Sequence, residues 1–63
     1  MHAIRHIGGA FVTDRQGVWE LSGDRMEIFI SFEQANSYLE SIDVEGVDDR
    51  DELEVVKLEV HIP

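Results

Sequence analysis

The chain contains no cysteine and a single proline, Pro63, among its 63 residues. Without cysteine there are no disulfide bonds, no thiolate zinc sites and no cysteine nucleophile. A domain of this length buries only about 60% of the surface that its unfolded chain exposes. Its stability must therefore come from good packing, a non-thiolate metal or a partner chain.

Long apolar runs are also missing. The run Ile28-Phe29-Ile30 is three residues long, whereas a transmembrane helix needs roughly 20, and residues 1–6 lack the apolar block of a signal peptide. We therefore expect no membrane partner and a cytoplasmic protein, in the host cytoplasm if a phage encodes it. The hydrophobic fraction of 43% nevertheless predicts a folded chain.

Positive charge is scarce, because five Lys and Arg stand against fourteen Asp and Glu. Residues 1–32 carry four acidic and three basic side chains, whereas residues 33–63 carry ten acidic and two basic ones. Phosphate contacts depend on Lys and Arg, so this balance argues against direct nucleic-acid binding. Such a charge gradient either keeps a protein soluble or faces a positively charged partner.

The first half of the chain predicts an antiparallel β-meander of three strands. The first strand is expected at about residues 2–7 and, after a bulge or bend at Gly8-Gly9, at 10–13; the second at 18–21 and the third at 26–30. Alternation along the third strand places Phe29 on the face opposite Met26, Ile28 and Ile30. Because one helix covers one face only, some aromatic surface is expected to stay outside the core.

Two turns connect these strands. Asp14-Arg15-Gln16-Gly17 predicts a type I turn closed by a glycine bulge, because Asp bonds its own backbone and Gly17 can adopt a positive φ. Ser22-Gly23-Asp24-Arg25 predicts a second turn.

A helix is expected at about residues 32–42. Ser31 can cap the free backbone N–H groups at its start, and Gln34, three residues later, can reach back toward the cap. Apolar side chains then recur with helical spacing and form one stripe that must pack on the sheet: Ala35, Tyr38, Leu39 and Ile42.

The second half continues with an acidic loop at 43–51 and a fourth strand at 53–62. Alternation along this strand places Val56, Leu58, Val60 and Ile62 on an apolar face. The strand can pair parallel to the third strand or antiparallel to the first, and both arrangements stay open. The fold class is therefore α+β: a single domain of residues 1–63, ordered βββαβ, with one α-helix packed on one face of the sheet.

Neither the histidines nor the acidic loop predicts a metal site. In an extended strand, His2 and His6 are about 13 Å apart, too far to share one ion, and His61 completes the set of three. Counted from Asp43, an EF-hand loop needs a ligand at position five and glycine at position six, where this chain has Val47 and Asp48. No metal and no cofactor are expected.

Groups for catalysis are few. The chain has one lysine, Lys57, and no glycine-rich phosphate loop beyond Gly8-Gly9. Ser31 is better explained as a helix cap than as a nucleophile beside His61. A substrate pocket is also difficult to form in a core of this size. We therefore expect a protein that is not an enzyme.

The acidic half is the candidate binding surface. A folded array of carboxylates can imitate the charge pattern of phosphates and occupy a basic surface of another protein, such as part of a nucleic-acid-handling complex. An exposed aromatic ring would add an apolar anchor. The candidate partner-binding residues are Glu40, Asp43, Glu45, Asp48, Asp49, Asp51, Glu52 and Glu54, with Trp19 and Phe29 as anchors.

In size, acidity and one-helix sheet, the chain is similar in type to the small acidic inhibitor proteins of phages, among them DNA mimics. That similarity rests on no shared motif. It implies an inhibitory role, for example as an anti-CRISPR or antirestriction protein. The alternative is a homodimeric structural or regulatory protein whose acidity only provides solubility. A third class is a small-ligand binder formed between two protomers.

Overall fold

The structure is a computed structural model and describes residues 1–59. These residues form a sheet and one α-helix, α1 (Phe32–Ser41). The α+β class and the helix are therefore confirmed. The strands are β1 (His2–His6), β2 (Phe11–Arg15), β3 (Val18–Ser22), β4 (Val44–Glu45) and β5 (Leu53–Lys57), and a 3-10 turn, Arg50–Glu52, precedes β5.

The sheet is mixed, with the strand order β4-β3-β2-β1-β5. β1 pairs antiparallel with both β2 and β5, β2 pairs antiparallel with β3, and β3 pairs parallel with β4. The prediction of an antiparallel three-strand meander is therefore wrong as a description of the sheet. A strand after the helix is confirmed, and it takes the antiparallel place beside β1. It ends at Lys57, and residues 60–62 of its predicted range lie outside the described residues.

The predicted first strand is in fact two strands joined by a turn. The backbone N–H of Gly9 donates to the carbonyl of His6 at 2.8 Å, and the N–H of His6 donates to the carbonyl of Ala10 at 2.7 Å. Gly9 has a φ of 106°, which a residue without Cβ adopts at little cost. The glycine pair therefore reverses the chain and creates a hairpin instead of a bulge.

The predicted third strand, 26–30, is wrong: within this segment only Phe29 forms a β-bridge, with His2. Phe29 and His2 exchange two backbone hydrogen bonds of 2.8 and 2.9 Å, and the N–H of Glu27 donates to the carbonyl of Val12 at 3.1 Å. The segment thus bonds to both β1 and β2, which share only the pair Arg5 and Phe11 in register. It lies where these two strands separate, so it belongs to no continuous ladder.

The chain reverses at both predicted places, but the predicted type I turn with a glycine bulge is wrong. The Asp14 carboxylate accepts a hydrogen bond from the N–H of Gly17 at 2.9 Å, and Ser22 Oγ accepts from the N–H of Arg25 at 3.1 Å. The first turn differs in type, because the connection between β2 and β3 is the two-residue loop Gln16-Gly17. Both of these residues have positive φ, as a type I′ hairpin requires.

The core lies between the sheet and α1. Its buried members are Ile4, Val12, Phe29, Ala35, Val44 and Leu53. The apolar face predicted for β5, which includes Val56, is not the face that packs on this core. Val55 pairs with Ile4 and packs on the core, whereas Val56 pairs with Ala3 on the opposite face of the sheet. The register with β1 therefore overrules the alternation within β5 itself.

Capping at the start of α1 agrees with its sequence signal. The N–H of Gln34 donates to Ser31 Oγ at 3.1 Å, and the N–H of Ile30 donates to Gln34 Oε1 at 3.1 Å. The stripe packs as expected at Ala35, Leu39 and Ile42. Within residues 1–59, no helix has the length and hydropathy to cross a membrane.

Candidate functional site

The acidic segment, defined here as residues 43–54, is tied to the end of α1 by one arginine. Arg50 Nη1 donates hydrogen bonds to the carbonyls of Leu39 and Ile42, each at 2.8 Å. The last carbonyls of a helix have no partner within it and attract a cation. Arg50 therefore acts as a C-terminal cap, and its Nη2 lies 3.8 Å from Asp43 Oδ1.

Two further contacts fix the conformation of this segment. Asp49 caps the 3-10 turn, since its Oδ1 accepts a hydrogen bond from the N–H of Asp51 at 2.9 Å. Val47 packs against the core from within the segment. The acidic residues are thus carried by a backbone that is bonded at both ends and packed in the middle.

Basic groups face three of the candidate acids. Besides Asp43 with Arg50, Glu54 Oε1 lies 3.6 Å from Arg5 Nε. Glu52 Oε1 accepts a hydrogen bond from His6 Nε2 at 3.1 Å, because the N–H of Gly8 occupies His6 Nδ1 and leaves the ring proton on Nε2. Within the described part of the chain, no ion pair involves the other candidate acids: Glu40, Glu45, Asp48, Asp49 and Asp51.

The candidate acids do not form one compact patch. β4 and β5 occupy opposite edges of the sheet, so Glu45 and Glu54 are separated by four strand spacings, about 19 Å. At its own edge Glu45 pairs in register with Glu20, which places two like charges side by side. The acidic segment therefore crosses the width of the molecule, and its carboxylates are spread along that path.

The two candidate anchors differ in burial. Phe29 is only 3% exposed and belongs to the core beneath α1, so the expectation that it lies outside that core is wrong. Trp19 is half-buried, and its ring packs on Tyr38 at a centroid distance of 5.7 Å. The exposed apolar side chains beside Phe29 are instead those of Ile28 and Ile30, and Ile30 is 84% exposed.

The histidines are separated by their places in the fold. His6 is committed to Gly8 and Glu52, while the ring of His2 packs on the edge of Phe32 at 6.2 Å. His61 lies outside the described residues. Among residues 1–59, no three His, Asp or Glu side chains come together in a way that would hold a metal ion.

A cleft of about 200 Å³ opens between α1 and the sheet, and sequence reasoning did not identify it. Its aromatic members are Trp19, Phe29 and Tyr38, and the rings of Phe29 and Tyr38 are 5.1 Å apart. Two carboxylates, Asp14 and Glu27, also line it. We call these five residues, with the Gln34 and Ile28 beside them, the aromatic cleft.

Residues far apart in sequence form the aromatic cleft, which explains why no local motif marks it. Asp14 and Trp19 are register partners across the β2–β3 hairpin, so their side chains share a face. Glu27 joins them through its backbone bond to Val12, and Tyr38 comes from the exposed side of the helical stripe. The sequence carries one signal for this cleft: once the two-residue hairpin loop is known, the register pairs Asp14 with Trp19.

A second, larger groove of about 580 Å³ lies over the β2–β3 hairpin and is polar. Its charged members have both signs, and Arg15 Nη1 lies 3.8 Å from Glu20 Oε1. Three acidic side chains (Asp14, Glu20 and Asp24) and two basic ones (Arg15 and Arg25) line the groove, so its charges partly offset each other. The aromatic cleft, whose lining contains two carboxylates and no basic side chain, has the more uniform charge of the two cavities.

Comparison with known proteins found no protein-family model, no curated protein and no solved structure that matches this chain.

Proposed function

We propose that the chain is a non-enzymatic protein-binding module whose acidic segment engages a basic surface of another protein. A nucleic-acid-binding surface has the complementary charge, because it presents Lys and Arg side chains that replace the counterions of the phosphates when nucleic acid binds. Blocking such a surface would make the chain an inhibitor, and an anti-CRISPR, antirestriction or DNA-mimic role is the specific form of this proposal.

The observation that carries the proposal is the way the acidic segment is held. Arg50 bonds the segment to the end of α1, and the Asp49 cap and the packed Val47 order its interior. A carboxylate on an ordered backbone loses less conformational entropy on binding than one on a flexible tail. Exposed Asp48 and Asp51 can therefore contribute to affinity as well as to solubility.

The test compares two variants of equal charge. One carries Asp48→Asn, Asp49→Asn and Asp51→Asn; asparagine at 49 keeps an oxygen for the 3-10 cap. The matched control carries Asp24→Asn, Glu33→Gln and Glu59→Gln, which removes three charges outside the segment. Each protein is immobilised, exposed to an extract of the native host and eluted with a salt gradient, and the retained protein is purified for titration calorimetry.

We expect the partner to leave the segment variant at lower salt than it leaves the control variant. Its affinity for the unmodified chain should also fall steeply with ionic strength, since exposed charges are screened beyond about 10 Å at 0.1 M salt. Equal elution from both variants, or an affinity indifferent to salt, would show that the acidic segment is not the binding surface.

A homodimeric module is the second candidate, and the exposed residues around the His2–Phe29 pair favour it. Met1, Ile28 and Ile30 are all exposed there, and a self-associating face would cover them. Light scattering distinguishes the two functions. A dimer that dissociates on Ile30→Asp but is unchanged by the three segment substitutions would support the homodimer, whereas a monodisperse monomer excludes it.

A further inference from the structure

We infer that the aromatic cleft is a binding site for a guanidinium group, the side-chain head of an arginine. That the arginine belongs to a protein partner rests on the function proposed above; the preference for a guanidinium rests on the cleft alone. No residue of the cleft except Trp19 and Phe29 was a candidate site residue from the sequence.

The aromatic rings supply the first half of this recognition. Tyr38 lies between the other two rings, with centroid distances of 5.7 Å to Trp19 and 5.1 Å to Phe29. It is 40% exposed, whereas Phe29 is buried, so the open ring surface belongs to Tyr38 and Trp19. The face of an aromatic ring carries partial negative charge and attracts a cation placed over it.

The carboxylates supply the second half. Asp14 and Glu27 line the same cleft as the rings, and among residues 1–59 no Lys or Arg forms an ion pair with either of them. Asp14 Oδ1 accepts one hydrogen bond, from the N–H of Gly17, so its second oxygen keeps its capacity to accept. A cleft with π faces, two carboxylates and no basic residue in its lining favours a cation over a neutral or anionic ligand.

The shape of the cation follows from the same groups. A guanidinium is planar, stacks flat on an aromatic ring and offers five N–H donors to carboxylates, whereas an ammonium is a compact and strongly hydrated point charge. The cleft volume of about 200 Å³ accommodates a head group with part of its alkyl stem and is too small for a folded ligand.

The position of the cleft connects it to the acidic segment. Trp19 pairs in parallel register with Val44, whose neighbours in the chain are Asp43 and Glu45. A partner arginine in the cleft would therefore bring the surrounding basic surface to the edge strand at which the acidic segment begins, where the Glu45 side chain points from the opposite face of the sheet. The cleft would provide the specific contact, and the segment would provide the long-range attraction.

The test uses small probes and needs no identified partner. Arginine amide, lysine amide and citrulline amide are titrated into the unmodified chain, because citrulline has nearly the shape of arginine without its charge. Trp19 is the only tryptophan, so its fluorescence reports on the cleft directly. Amide chemical shifts in NMR spectra locate the bound probe independently.

We expect arginine amide to bind more tightly than lysine amide and citrulline amide to bind least. Tyr38→Leu should weaken arginine amide by about three- to thirtyfold, the range that a cation–π contact supplies. Tyr38→Phe, which keeps the ring, should bind within about twofold of the unmodified chain. Asp14→Asn and Glu27→Gln should each weaken binding, whereas the charge-matched control Glu59→Gln, at an exposed residue outside both the cleft and the acidic segment, should not. A fold check by circular dichroism accompanies each variant.

Two results overturn the inference. If citrulline amide binds as tightly as arginine amide, the cleft recognises shape or apolar surface and not a cation. If lysine amide binds more tightly, the assignment to a guanidinium is wrong. Either result leaves the salt-dependent partner test of the acidic segment intact, and a failure of that test would leave arginine amide binding unaffected, so the two proposals fail separately.

Discussion

Replacing Arg50 by methionine should destabilise the fold more than removing any other positive charge. The substitution keeps most of the apolar stem but removes both hydrogen bonds to the carbonyls of Leu39 and Ile42. Hydrogen bonds from a charged donor contribute about 1.5–3 kcal/mol when well shielded, and a cation at a helix C-terminus adds about 0.3–1 kcal/mol. Because the Arg50 side chain is 46% exposed, solvent screening reduces the expected loss to about 1–2 kcal/mol.

Urea denaturation followed by circular dichroism measures this loss, and for a domain of this size it corresponds to a fall in Tm of about 5–15 °C. Arg15→Met is the matched control, since it removes the same charge from a side chain that is 74% exposed and 3.8 Å from Glu20. It should change the free energy of unfolding by less than about 0.5 kcal/mol. Equal effects of the two substitutions would refute a capping role for Arg50 and leave only a general effect of net charge.

Two further predictions concern the buried ring of Phe29 and the glycine of the β2–β3 loop. Phe29→Ala should cost about 3–5 kcal/mol by opening a cavity beneath α1, which is most of the stability of a domain this small. Ile28→Ala, at the next residue, should cost under about 0.5 kcal/mol. Thermal melts that rank the two variants otherwise would show that Phe29 is not the buried member of the pair. Gly17→Ala should cost about 1–2 kcal/mol because Gly17 has a φ of 88°. Gly23→Ala, at an open site without positive φ, should be neutral in the same urea titration, and equal losses at the two glycines would contradict the turn assignment.

The helix was predictable because its signals are local. The Ser31 cap, the Gln34 side chain that returns to it and the stripe at Ala35 and Leu39 all lie within one short window. The structure ends the helix at Ser41, one residue earlier than predicted. The place of the Asp14 to Gly17 turn was predictable for the same reason, because one side chain and one glycine mark it, but its type was not, because that depends on the register between β2 and β3.

The sheet was less predictable because its pairing is not local. Residues 26–30 are rich in β-formers, yet they lie between two diverging strands and pair only at Phe29. Val44 and Glu45 read as loop, yet β3 offers them an edge to pair with. Propensity describes how well a residue suits a pleated surface, and the neighbouring strands decide whether such a surface is present.

The candidate site divides in the same way. Exposure of Asp43, Asp48, Asp49 and Asp51 follows from charge alone and agrees with the structure. The role of Arg50 could not be foreseen, since in the sequence it is one cation among acids and only the fold brings it to the end of α1. Alternation correctly separates Phe29 from Met26, Ile28 and Ile30, but the expectation assigned the core to the wrong one of these two faces: Phe29 is buried and the other three are exposed.

The excess of acidic residues in the second half of the chain is therefore compensated at some positions and not at others. Arg5, His6 and Arg50 each meet a carboxylate of the acidic segment, so two of the five Lys and Arg side chains, together with one imidazole, help to hold that segment in place. The like-charged pair Glu20 and Glu45 at the β4 edge has no such compensation among the described residues, apart from Arg15 beside Glu20. Self-repulsion is thus concentrated at the β4 edge, on the face of the sheet opposite Trp19 and the aromatic cleft, because Glu20 and Glu45 alternate with Trp19 and Val44 along their strands. A cationic partner that reaches around the β4 edge would meet the Glu20 and Glu45 pair on one face and the aromatic cleft on the other, so a single basic surface must span that edge to engage both.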